Sequence, residues 1–497
     1  MRRRTPSIMH ISNHNAQDLR VLYGERFRWY LLFTVMIGTM ASIISSTIFN
    51  VAIPAMSHHF QLGQSRAQWV TSSFMVATTV AMLTTPWLLT RYGYRNTYLG
   101  AVVLLMLGGI GGGFSTDYNL VLVARVVEGL AAGVIQPIPA IIILHAFAPN
   151  EQGRANGLFG MGIVLAPAIG PSVGGLLVDW MGWRSVFFMV VPLCLASIWL
   201  GLRYVPVNAP GGASADRKGK SLDWIGLGIA TVGTICLLNG LVALHGTSWQ
   251  ESAVLLAIAL ACFPGFVAWE KRMLARGEKP LMDLRLFACK PFAAGCIVAF
   301  IYGTALFGST YLLPVFMQLG LSYSASVVGT TMLPAGLVLG GVIALAGRMA
   351  DRTPAHWLVI GGLALLALSF VLTGVLQPGS SLWLLVGYTV LGRIGLGFIL
   401  PSLTLGSMRP LDKSLISQGS STFSFLRMLG GAAGVSLCGI FLEWRVGYYA
   451  AQSAAVEIAM AERVSAFRDT FALLAVVCVL AGIAALQLRA RPTPAAH

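Results

Sequence analysis

Long apolar runs take up most of this chain, and they constrain its fold more than any other feature. A helix needs roughly 20 apolar residues to cross the hydrocarbon of a bilayer. Fourteen stretches qualify: 29–53, 68–89, 97–115, 120–144, 156–178, 184–204, 223–244, 252–269, 292–317, 326–347, 356–376, 382–405, 418–442 and 469–488. Only 10% of the 497 residues are charged, while 56% are hydrophobic; a soluble domain carries about 25% charged residues. Too few charges remain to cover a water-facing surface. The pattern therefore specifies an all-α integral membrane protein. The first run, from Trp29, is longer than a signal-peptide core and reads as a retained span.

Lysine and arginine orient the spans. With loops numbered alternately, one side receives 25 of the 33 basic residues and the other five, while Arg125, Arg393 and Arg427 lie within spans. Basic loops stay in the cytoplasm, so an even span count places both termini there. The same rule accounts for the net charge of +15 without nucleic acid as a partner; the partner is the lipid bilayer. The seven cysteines show neither CxxC pairs nor His/Cys ligand spacing, so no disulfide frame and no metal site is expected. No P-loop, HExxH or GxSxG motif occurs, and the eight histidines are scattered, so neither enzyme chemistry nor a cofactor is expected.

Of the 18 acidic residues, only Glu128 lies deep in a span, within "LVARVVEGLAAGVIQPIPAII" (122–142). Ionisable groups at such depth are functional-site candidates. Arg125 stands three residues earlier, on the same helix face.

The chain also repeats. "TPWLLTRYGYR" (85–95) is echoed by "AGRMADR" (346–352), and Gly133/Pro137 by Gly397/Pro401. Related halves facing each other across a midplane site are a transporter architecture. The expected division is a tail (1–28), a six-helix bundle (29–204), a linker with two inserted helices (205–291), a second six-helix bundle (292–488) and a tail (489–497). The outer stretch 443–467 reads as a loop holding a short helix.

At these residues the chain resembles the major facilitator superfamily, and more closely its fourteen-helix drug:proton antiporters of the EmrB/QacA type. "TIFNVAIP" (47–54), "RVVEGLAAG" (125–133), "APAIGPSVGG" (166–175), "GWRSVFFMVVP" (182–192) and "YLLPVFMQLGLSYSASVVGTTMLP" (311–334) carry the likeness in order. It implies the major facilitator fold, with two six-helix bundles plus two inserted helices. It further implies proton-driven export of amphipathic or cationic drug-like compounds, a bacterial inner membrane and a periplasmic adaptor protein as partner. An importer or uniporter of a specific metabolite, or an exporter with non-standard ion coupling, stays open.

Two departures from the family pattern matter. The acid of the first gating loop is replaced by Thr90, whereas the second copy keeps Asp351 beside Arg352. Arg91, Gly93 and Arg95 are expected to build the first cytoplasmic turn, and Gly170, Pro171, Gly174 and Gly175 a tight seam between the bundles. Second, the first-helix Asp of the antiporters is replaced by Ser45, and serine does not exchange protons at physiological pH. Ser45 lies roughly 13 Å and Glu128 roughly 15 Å from the outer helix ends at 1.5 Å per residue. Burial and a neighbouring cation act in opposite directions on a carboxyl group. Glu128 with Arg125 is thus the candidate proton carrier, and a fixed structural ion pair is the competing reading. Ser45, Ser46, Asn50, Gln136, Tyr302, Tyr311, Phe316, Gln318 and Arg427 are the candidate cavity residues. For Arg393 and Arg427, attraction of anionic groups and bonds to carbonyls at helix breaks both stay open.

Overall fold

The computed structural model describes residues 14–62, 64–219, 221–244, 249–452 and 460–489, and every regular element among them is helical. A short helix α1 (Ala16–Tyr23) leads into α2 (Phe27–Phe60), α3 (Gln64–Met82), α4 (Thr85–Gly113), α5 (Tyr118–Ile135), α6 (Ile138–Ala146), α7 (Gln152–Met181), α8 (Ser185–Phe188) and α9 (Val190–Tyr204). Helices α10 (Trp224–Ala243) and α11 (Trp249–Ala275) follow. The chain continues with α12 (Lys290–Val315), α13 (Ala325–Met349), α14 (Ala355–Gly374), α15 (Leu382–Met408), α16 (Ile416–Gln452) and α17 (Met460–Ala485).

Among the described residues, twelve helical stretches are long and apolar enough to cross a membrane, two fewer than the sequence pattern predicts. The run expected over 68–89 is divided: α3 ends at Met82, and its apolar part, Trp69–Met82, is short. The run over 156–178 lies in α7, a 30-residue helix rich in glycine that opens with polar Gln152, Arg154 and Asn156. The stretch 443–467 is no separate loop helix. Its first part prolongs α16 to Gln452 and its last part belongs to α17, while 453–459 lie outside the described residues.

Helix ends follow local chemistry. Asp117 caps α5 by accepting from Asn119 N (2.8 Å) and Leu120 N (3.1 Å), as a side-chain oxygen at the N-cap does. Pro137 has no N–H to donate, so the α5–α6 path breaks beside it. The carbonyls near the break are taken by side chains from other helices: Thr85 Oγ1 donates to Val134 O (3.4 Å) and Ser420 Oγ to Pro137 O (2.9 Å). Irregular backbone at membrane depth needs such partners. Gly93 turns the chain inside α4 at φ +77°, a conformation that favours glycine.

Helices α2, α3, α4, α5 and α9 pack on one another, as do α12, α14, α15, α16 and α17. The groups meet where α7 lies against α13 and α15, and where α16 crosses α3, α4 and α6. Helices α10 and α11 pair together, and α10 leans on α3 and α16.

Candidate functional site

Arg125 and Glu128 are fully buried on α5. Arg125 Nη1 donates to Glu128 Oε2 at 2.8 Å, to Ser45 O at 3.2 Å and to Ser45 Oγ at 3.3 Å. Its Nε donates to Val70 O at 3.1 Å. The guanidinium lies between two rings, 3.9 Å from the centre of Phe49 and 4.2 Å from that of Phe74. Cation–π contacts of this kind strengthen where water is excluded. Room for the carboxylate comes from α4: a Cβ on Gly108 would stand 2.7 Å from Glu128 Cγ. Among the described residues, two atoms, Arg125 Nη2 and Glu128 Oε1, have no hydrogen-bond partner. Phe49, Phe74 and Gly108 were not singled out from the sequence; Phe49, four residues after Ser45 on one helix face, is the one that spacing offers.

The helices close on each other at the end carrying the basic loops. Asp351, just past α13, accepts from Gly153 N (2.7 Å) and Arg154 N (2.8 Å) at the start of α7. A carboxylate on the free N–H groups of a helix N-terminus is favoured by hydrogen bonding and by the helix dipole. Arg409 binds the same carboxylate at 3.0 Å and reaches Gln152 Oε1 (3.0 Å) and Pro149 O (2.6 Å). The partner of Asp351 is therefore Arg409, whereas its sequence neighbour Arg352 is exposed.

Below this latch the backbones touch. A Cβ on Gly153 would stand 2.3 Å from Gly347 O, one on Gly157 2.8 Å from Gly347 Cα, and one on Gly160 2.6 Å from Ile343 Cγ2. This corrects the expected seam. Gly170 and Gly174 face α2, with Cβ positions 2.8 Å from Thr47 Oγ1 and 2.5 Å from Ile48 Cγ1, and Gly175 faces Val51. They close α7 onto α2, while Gly153, Gly157 and Gly160 close it onto α13. The Pro171 side chain lies outside the described residues. The spacing Gly153-x-x-x-Gly157, a small-residue contact pattern, was the unread signal.

The turn over residues 90–95 is built differently. Thr90 Oγ1 bonds back to Pro86 O (2.8 Å), and Arg95 Nε donates to Val205 O (2.7 Å). Arg91 donates to Gly219 O, and a Cβ on Gly93 would meet Val207 O at 2.0 Å. These residues hold the segment after α9 against the turn.

Comparison with known proteins fits this arrangement. Residues 35–435 match the Major Facilitator Superfamily. The chain belongs to that superfamily. A relative from Haemophilus influenzae, the multidrug export protein EmrB, is 27% identical over 82% of this chain and 79% of its own. The tetracenomycin C resistance and export protein of Streptomyces glaucescens is 27% identical over 84% and 77%. The crystal structure of the human organic anion transporter MFSD10 superposes with a TM-score of 0.67 at 14% identity, covering 92% of this chain and 99% of that one. This superfamily member is accordingly a multi-pass membrane transporter of small-molecule substrates.

The remaining candidates disperse over the superfamily fold. Ser45 joins the Arg125 site. Ser46 bonds within its own helix to Ile43 O (2.7 Å), and Gln136 sits partly buried at the α5–α6 break. The Asn50 side chain lies outside the described residues. Tyr302 is buried on α12, and the charges of Arg427 and Arg393 bear on its hydroxyl. Tyr311 and Gln318 are exposed near the far end of α12. Phe316 is no cavity residue: it is fully buried, 5.2 Å from Phe467 and 5.4 Å from Phe471 between ring centres, so it packs α12 onto α17. Among the described residues, no cluster of three His, Cys, Asp or Glu side chains is placed to hold a metal ion.

Proposed function

We propose that this chain is a proton-driven exporter of amphipathic, drug-like compounds that works by alternating access. The proposal places it in a bacterial cytoplasmic membrane, with both termini inside and fourteen spans, α3 and α7 among them. The observation that carries it is the shared guanidinium. Arg125 Nη1 bonds both Ser45, where related antiporters have their first-helix acid, and Glu128. Glu128 thus offers a carboxylate to the same cation from a neighbouring helix, and its free Oε1 is available to a proton. Proton loading weakens the ion pair and so couples protonation to the packing of α2 on α5.

Asp351, Arg409 and the α7 N-terminus form the cytoplasmic latch in this reading, and Gly153, Gly157 and Gly347 the seam beneath it. The resistance and export relatives support the direction and the cargo. A periplasmic adaptor protein is part of the proposal on the resemblance alone.

A second reading is favoured by one observation: the pair is completely buried, with Arg125 held by three acceptor residues and two rings. A fixed ion pair in a carrier of a specific metabolite, running without protons, accounts for that too. Dye efflux from a pump-deficient bacterium separates the two. An anionic and a cationic dye are followed with and without a protonophore, in wild type and Glu128→Gln at matched membrane abundance. Loss of export under both treatments supports proton coupling. Export that ignores the protonophore supports the second reading.

A further inference from the structure

The two other deep arginines contrast with Arg125. Arg393 on α15 is 9% exposed, and Arg427 on α16 is partly buried. Among the described residues, neither guanidinium has a carboxylate, carbonyl or ring partner. That removes the reading in which they bond to carbonyls at helix breaks. Both bear on one side chain, Tyr302 of α12, whose hydroxyl makes no hydrogen bond among the described residues. The three helices pack on one another. At Tyr302 the contact with α16 is close: a Cβ on Gly303 would stand 2.0 Å from Arg427 O. One turn before Arg393 on α15, Thr389 Oγ1 is buried without a partner among the described residues.

A guanidinium keeps its proton in any protein site, and an unpaired ion at membrane depth is costly. Two of them beside unpaired hydroxyls therefore call for negative charge from outside the chain. Glu128, the carboxylate deep in α5, is already bonded to Arg125. The forked donors of arginine match the two oxygens of a carboxylate.

We propose that Arg393, Arg427 and Tyr302 form the cargo site of the C-terminal half, and that it binds the carboxylate of an amphipathic organic anion or zwitterion. This rests on the transporter reading for the word cargo, but not on proton coupling. It narrows the expected substrates, because a purely cationic compound meets two fixed positive charges here.

Rhodamine B and its ethyl ester differ only in whether the carboxyl group is free, which makes them a matched pair of probes. Binding of each to the purified full chain in detergent is followed by fluorescence polarisation, with no gradient present. The expected result is that wild type prefers rhodamine B to the ester by about tenfold or more, the scale of one charged hydrogen bond. Arg393→Gln and Arg427→Gln each remove that preference by weakening rhodamine B binding, and the cationic ester, relieved of one repelling charge, binds them at least as well as wild type; Arg393→Lys keeps part of the preference. Glu128→Gln retains the full preference, so failure of the proton reading leaves this result standing. Equal binding of the two dyes by wild type overturns the proposal, as does a preference that survives in both glutamine variants. Displacement of rhodamine B by inorganic phosphate, with equal stabilisation of the protein by phosphate alone, also overturns it in favour of a resident inorganic anion.

Discussion

Ser45 Oγ and Glu128 Oε2 meet at one nitrogen, standing 3.3 Å and 2.8 Å from Arg125 Nη1. Two helices thus address the same buried cation, one with a hydroxyl and one with a carboxylate. If the cation is what tunes the coupling acid, the helix that supplies the acid is interchangeable.

Moving the carboxylate tests this directly. Glu128→Gln leaves Arg125 without its counter-ion, which costs about 3–5 kcal/mol for a buried pair, so reduced membrane abundance is expected along with loss of gradient-driven export. Adding Ser45→Asp to Glu128→Gln returns a carboxylate to the same nitrogen. The double variant is expected to recover both abundance and protonophore-sensitive efflux. Recovery of abundance alone would assign the pair to stability.

The Asp351–Arg409 contact predicts non-additive effects. Asp351→Ala frees the α7 N-terminus and Arg409 together, whereas Arg409→Ala removes one of the three donor residues on the carboxylate. Thermal unfolding of the two single variants and the double variant should give an interaction energy of about 1–3 kcal/mol, the range for residues in one network. Additive losses would mean that the latch is not a unit.

How far the sequence shows all this depends on the kind of signal. The helices are legible because about 20 apolar residues have few other uses, and Gly93, Pro137 and Asp117 mark breaks and caps by their own chemistry. The Arg125–Glu128 pair is legible because both groups share one face of one helix. Partners that come from elsewhere in the chain are not. Arg409 reaches Asp351 across 58 positions, and nothing local distinguishes it from Arg352. The glycines of α7 look alike in sequence, yet Gly170 and Gly174 meet α2 while Gly153 and Gly157 meet α13. Only the crossing of the helices tells them apart. Phe316 is a cavity candidate as an aromatic residue at mid-depth, but its ring packs against Phe467 and Phe471, which depth along one helix does not reveal.

The glycine seam gives a prediction with an internal control. A side chain at Gly157 collides with the Gly347 backbone, so Gly157→Leu should hold the basic end open. Transport is expected to fall to background while the protein still reaches the membrane. Gly361→Leu on α14, where nothing stands within 4 Å of the added carbon, should be tolerated. Equal transport by the two variants would remove the seam from the mechanism.

The most direct test of the central claim uses purified protein in liposomes, with the dye that cells export best. Wild type and Glu128→Gln are compared in two assays: accumulation driven by an imposed pH gradient, and exchange of dye across the membrane with no gradient. If Glu128 carries the proton, the variant loses gradient-driven accumulation and keeps exchange. A variant that still concentrates dye under the gradient as wild type does would contradict the account, and the coupling group would have to be sought elsewhere.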